Sequence, residues 1–165
     1  MSDQHSSIDY FLKIDGIEGE SKDSTHTNEI QLIGFNWGET QPASFVYGTG
    51  AGSGKVSMQD LTFTMRACKA SPKLFLSCAK GEHIKEATLV ARKAGGDQEE
   101  FYQIKLEDVM VSSYNTGGGT GDSLPMDTVT LAFAKISYQY RPQSDKGALE
   151  TPVKAGWNLQ ENKAI

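Results

Sequence analysis

Seven segments of this chain alternate apolar with polar residues at the two-residue period of a half-buried strand: 8–14, 30–37, 56–67, 84–93, 100–106, 109–114 and 129–140. Turn clusters such as Gly95-Gly-Asp97 and Gly117-Gly-Gly-Thr-Gly121 separate them. Only one segment reads as a helix. Ser71 suits an N-cap and Pro72 the first turn, Leu74, Phe75, Cys78 and Ala79 share a face, and Gly81 suits the C-terminal cap. A helix of roughly ten residues is about 15 Å long and cannot cover both faces of a six- or seven-stranded sheet. The strands must therefore bury their apolar faces against each other. This predicts a mainly β fold, a barrel or sandwich, with one short helix on its side.

The layout is that of one domain. Residues 1–7 form a polar leader, 8–142 the β domain, and 143–165 a polar tail. The tail carries Trp157 and Leu159, and a solvated tail seldom needs a tryptophan, so part of it is expected to dock on the body or on a neighbour. Two long polar stretches, 16–28 and 40–55, have the length of functional loops. The leader has neither a basic nor an apolar signal region, and no stretch has the apolar length of a membrane span. Synthesis in the cytosol, with no membrane insertion and any export by a route without a cleaved signal, is the expectation. With 16 Lys+Arg against 21 Asp+Glu the net charge is −5, which gives no electrostatic reason to bind nucleic acid.

Chemistry is harder to find. Gly48-Thr-Gly-Ala-Gly-Ser-Gly-Lys55 resembles a phosphate-cradling loop, yet Thr49 stands where the motif needs glycine and Val56 where it needs Ser or Thr. A strand follows it, whereas phosphate binding uses a helix N-terminus. His5, His26 and His83 are far apart and lack metal-ligand spacing; each reads as a surface residue or a loop anchor. No Gly-x-Ser-x-Gly elbow is present, and Glu99-Glu100 and Glu107-Asp108 read as solvated flank charges. Cys68 and Cys78 lack CxxC spacing and read as buried, inert thiols. No cofactor or metal is called for.

Several segments in order carry a resemblance: Asp9-Tyr-Phe-Leu-Lys-Ile-Asp-Gly-Ile-Glu-Gly-Glu-Ser21, His26, Glu29-Ile30, Phe35-Asn-Trp-Gly38, Cys68-Lys-Ala-Ser-Pro-Lys-Leu-Phe75, Gly81-Glu-His83, Arg92-Lys-Ala-Gly95, Val109-x-Val-Ser-Ser-Tyr114 and Pro152-Val-Lys-Ala-Gly-Trp-Asn-Leu159. Together they resemble the haemolysin-coregulated protein (Hcp) family, inner-tube subunits of bacterial type VI secretion systems. The resemblance implies a closed β-barrel with a short lateral helix and long extended loops, assembled into a hexameric ring. It implies rings stacked into a secreted tube, with a contractile sheath around it, a spike at its tip and effector proteins carried in the lumen.

The resemblance also places the 16–28 loop at subunit contacts, with Glu18, Glu20, Ser21, Lys22, Asp23 and His26 as candidates. In 30–37, Phe35 and Trp37 share the expected core face, while Gly34 and Asn36 share the other and suit a ring lumen, plain solvent or a subunit contact. An enzyme would need a catalytic constellation, which the sequence does not display. A monomeric β-barrel binding module for a small ligand or peptide is the alternative. For the glycine-rich loop the expected outcome is that calorimetry with ATP and Mg²⁺ shows no binding, and a micromolar isotherm would refute the non-nucleotide reading.

Overall fold

The computed structural model describes residues 7–42 and 55–165. Its strands are β1 (Ile8–Ile14), β2 (Ile30–Leu32), β3 (Gly34–Asn36), β4 (Glu39–Thr40), β5 (Ser57–Met58), β6 (Leu61–Arg66), β7 (His83–Lys93), β8 (Glu100–Gly117), β9 (Met126–Tyr140), β10 (Val153–Asn158) and β11 (Lys163–Ala164). One helix, α1 (Ala70–Lys80), lies between β6 and β7. The fold is mainly β. One antiparallel sheet runs β11-β10-β9-β8-β7-β1-β2, and β6 joins it on β9 with β3 beyond; β4 and β5 form a separate hairpin.

Segment 30–37 is two strands rather than one. Its first half pairs with β1, its second with β6, and the chain changes partner at Ile33, whose N–H bonds Thr64 O at 2.8 Å. No single partner can serve both halves, so the ladder breaks and Ile33 is left exposed. The closed barrel expected from the resemblance is therefore reached only in part: this segment spans from β1 to β6, but no uninterrupted strand ladder closes the circuit among the described residues.

Segments 100–106 and 109–114 fuse into the single strand β8. Asp108, at φ +54°, interrupts the ladder locally, and a shift between Val111 and Ser113 inserts one extra residue against β9. The bulge brings the hydroxyls of Ser112 and Ser113 to the same Thr130 Oγ1, at 2.6 and 2.7 Å. The 56–67 segment also divides, into β5 and β6. The tail adds β10, which pairs with the end of β9, and half-buried Trp157 packs on the core.

The core is lined by Leu12, Ile14, Ile30, Leu61, Phe63, Met65, Leu89, Ile104, Leu106, Val129 and Leu131, with Leu74 of the helix set against it. The helix differs in register from the sequence reading. Its buried face is Ala70, Ser71, Leu74 and Ser77, and Phe75 is 59 % exposed. Two serines can face inward because both hydroxyls find acceptors: Ser71 Oγ donates to Asp127 Oδ2 at 2.5 Å and Ser77 Oγ to Glu82 Oε2 at 3.3 Å. Ser71 is not the N-cap; Lys69 holds that position without a side-chain cap bond. Gly81 does close the helix, at φ +61°, with its N–H on Cys78 O and that of Glu82 on Ser77 O.

Asp127 is wholly buried and fastens the helix to the sheet, accepting from Tyr114 OH at 3.0 Å as well as from Ser71. Its removal strands the hydroxyls of buried Ser71 and half-buried Tyr114. Asp127→Ala is expected to lose about 2–3 kcal/mol in urea unfolding, the cost of hydrogen bonds to a charged group together with the donors left unpaired. A loss below about 0.5 kcal/mol would show that the helix does not depend on this carboxylate.

Candidate functional site

The 16–28 loop is a fastened structure whose anchor is Arg92 on β7. Arg92 is 4 % exposed, and its guanidinium grips both carboxylate oxygens of Asp23, one of them at 3.0 Å, with Thr25 Oγ1 at 3.1 Å and Asp9 Oδ2 at 3.8 Å. The same guanidinium lies 4.8 Å from the centroid of the Phe11 ring, an arrangement favoured by the ring quadrupole. Phe11 is buried outside the main core and stacks on His26, with ring centroids 4.4 Å apart.

Asp23 also organises its own turn, since Oδ1 accepts from the N–H groups of Thr25 and His26 at 3.0 and 3.2 Å. Backbone bonds zip the two ends of the loop: Gly19 N to Asn28 O, Ser21 N to Glu29 O and Asn28 N to Ser21 O. Gly19 is obligatory there, because a Cβ would stand 2.5 Å from Glu29 O.

His26 ties the loop to β8. Its Nδ1 lies 2.5 Å from Glu29 Oε2 and its Nε2 2.8 Å from Glu100 Oε1. The ring therefore lies between two carboxylates, one within hydrogen-bond distance of each nitrogen.

The six loop candidates separate into two groups. Ser21, Asp23 and His26 point inward and hold the loop, whereas Glu18, Glu20 and Lys22 are exposed on it. Glu20 accepts from the Lys69 N–H at 3.1 Å, setting a carboxylate beside the helix N-terminus, and Glu18 lies 3.7 Å from Lys69 Nζ. Arg92, Phe11, Glu29 and Glu100 complete the clasp; the first three were not expected as site residues, and Glu100, expected as a solvated flank charge, instead meets His26 because β8 carries it beside the loop. An arginine closing the apolar run Leu89-Val-Ala-Arg92 was the available signal, because a charge on such a strand needs a partner.

On β3, Gly34 and Asn36 lie on the face opposite Phe35; Gly34 is half-buried beside Thr64 and Asn36 is exposed. Phe35 packs on Tyr10 and Tyr102. Trp37, Tyr102, Tyr138 and Trp157 wall a pocket of about 840 Å³ between the β4–β5 hairpin and β10. Both indole Nε1 groups are buried without an acceptor among the described residues.

The remaining sequence candidates lie elsewhere. His83 meets Asp108 at 3.2 Å on the surface; His5 and residues 48–54 fall outside the described residues. Cys68 and Cys78 are free and half-buried, and burial pushes the Cys68 thiol up, away from the reactive thiolate.

The hydrogen bonds from Arg92 hold the Asp23 carboxyl well below the usual carboxylate range. A depressed carboxylate contributes stability above its unfolded pKa, about 3.9, and loses that contribution as pH falls through the folded value. The parent should therefore lose more stability between pH 7 and pH 3 than Asp23→Asn in urea titrations at both pH values. Equal losses would show that the clasp carries no proton linkage.

Comparison with known proteins places this geometry in a family. A family model described as "Type VI secretion system effector, Hcp" matches residues 11–140. Protein hcp1 of Pseudomonas aeruginosa is 44 % identical over 157 residues, 94 % of this chain and 97 % of that one. A solved structure described as that of a type six secretion system protein superposes with a TM-score of 0.91 at 31 % identity, covering 96 % of this chain and 100 % of that chain. Hcp1 from Salmonella typhimurium gives a TM-score of 0.77 at 33 % identity, over 96 % and 99 % of the two chains. The match takes in the strands, the lateral helix and the fastened loop together, and the chain belongs to the type VI secretion system Hcp family.

Proposed function

We propose that this chain is a structural, non-catalytic subunit of the type VI inner tube, closing its barrel in the assembled state and forming hexameric rings that stack and are secreted. Family membership across nearly the whole chain is the observation that carries this reading. The spike, the contractile sheath and lumenal effector proteins are its proposed partners, and Gly34 and Asn36 its proposed lumen residues. The 16–28 loop is the proposed assembly element. Its inner side chains hold it to Arg92 and β8, so Glu18, Glu20 and Lys22 are presented in a fixed arrangement and need little further ordering when a neighbour binds.

A monomeric binding module is the second reading, favoured by the aromatic pocket of about 840 Å³, a size suited to a small ligand. Light scattering after size exclusion separates the two, because a ring former is several times the mass of the 18.0 kDa chain.

Exposed charge pairs are worth little singly, on the order of 0–1 kcal/mol, but a ring repeats each contact around its face. Glu18→Lys with Glu20→Lys is therefore expected to keep the folded ring, seen by circular dichroism and light scattering, while weakening stacking and secretion. The defect should vary with salt, since screening acts on exposed charges. A reversed protein that stacks and is secreted like the parent at low and physiological ionic strength removes the loop from assembly.

A further inference from the structure

The imidazole of His26 is buried and lies flat on Phe11, so it has little freedom to turn away from the two carboxylates beside it. Glu29 Oε2 stands 2.5 Å from Nδ1 and Glu100 Oε1 2.8 Å from Nε2. A hydrogen bond along each of these lines needs a proton on each, since an ionised carboxylate can only accept. A neutral imidazole has a single N–H. The closed loop therefore holds one proton more than a neutral ring between two ionised carboxylates supplies, and the three groups share it as a coupled set.

The charged groups around the ring come from every element packed on it: Asp23 and Glu29 from the loop and its end, Asp9 from β1, Arg92 from β7 and Glu100 from β8. Arg92 is committed to Asp23 and Asp9, and among the described residues neither Glu29 nor Glu100 has an ion-pair partner other than His26. The two ties differ in their access to water. The Glu29 side chain is 13 % exposed and that of Glu100 47 %. Once the extra proton leaves, the ring keeps one N–H, and one line sets a nitrogen lone pair against a carboxylate oxygen. Half-exposed Glu100 can then turn to water, whereas Glu29 would stay buried and uncompensated without the remaining N–H.

We infer that the 16–28 loop is a proton-operated latch: a proton held among His26, Glu29 and Glu100 closes the tie from His26 Nε2 to Glu100 on β8, and its loss at alkaline pH frees the loop from β8 while Arg92 still grips Asp23. The closed loop binds the extra proton and the open loop does not, so closure weakens as pH rises, by about tenfold per pH unit at most for one proton. Glu18, Glu20 and Lys22 ride on this loop, and the proton sets how firmly they are held. The latch is a property of the single chain, so its test stands apart from the tube reading.

The test is hydrogen exchange on the full chain from about pH 6 to about pH 9, each rate divided by the intrinsic rate at that pH. The reporters are the amides of Gly19, Ser21 and Asn28, which bond across the loop. Their protection should fall at least about tenfold over this range, while that of Leu12 and Leu89 on the paired strands β1 and β7 stays constant. Glu100→Gln places a carboxamide, which donates as well as accepts, beside the ring, so the tie no longer needs the extra proton. That variant should keep the parent's circular dichroism spectrum and show a flat protection profile. His83→Gln, at the exposed histidine that meets Asp108, should keep the parent's profile. Constant loop protection in the parent, a Glu100→Gln profile as steep as the parent's, or a flat profile in His83→Gln overturns the latch.

Discussion

The architecture depends on how β9 shares out its hydrogen bonds. One edge pairs with β8 over nearly its full length, while the other is divided: Met126–Arg66 through Leu131–Leu61 pairs with β6, and Lys135–Asn158 through Tyr140–Val153 with β10. A strand edge can bond only one neighbour at a given residue. Two partners on one edge must therefore diverge. Between them the sheet forks, and residues from both branches face the aromatic pocket, Trp37 and Met58 on one side and Gly156 and Trp157 on the other. The pocket is a consequence of topology.

Close approach on the β10 branch has its own requirement. A Cβ on Gly156 would stand 2.9 Å from Ile165 Cγ1 and 3.2 Å from Ile136 O, so glycine lets the exposed Ile165 side chain lie directly on β10, whose Gly156 O accepts from Ile165 N at 3.2 Å. Two indole donors at the fork, on Trp37 and Trp157, are buried without an acceptor among the described residues, at a cost of the order of 1–3 kcal/mol for each buried group.

The Arg92 clasp answers a different need. A buried guanidinium is tolerable only when its charge and hydrogen bonds are matched, and Asp23, Asp9 and Thr25 do this while Phe11 covers the planar face. Nε has no partner among the described residues. The anchors are carried by loop, by β1 and by β7, so the loop cannot lift without exposing an uncompensated charge. This is how a polar loop of ordinary composition becomes a rigid part of the surface, and why Glu18, Glu20 and Lys22 on its outer side have defined positions.

Period-2 alternation identified β1 to the residue and β7 to within one, because pattern and partner agree there along the whole strand. It also identified the mainly β class and the lone helix, and the Hcp resemblance was carried by the ordered segments themselves. The amino-acid order could not show that 30–37 changes partners at Ile33, that Asp108 leaves β8 continuous, or that Ser71 and Ser77 face inward; each depends on an acceptor or strand distant in sequence. His26 was legible as a loop anchor, whereas its two carboxylate partners were not, since Glu100 is brought to it only when β8 pairs beside β7. Local alternation and turn chemistry act between near neighbours and so are written in the sequence. Arg92 under its loop and four aromatic rings around one fork join residues far apart in the chain, and only the folded sheet decides that they meet.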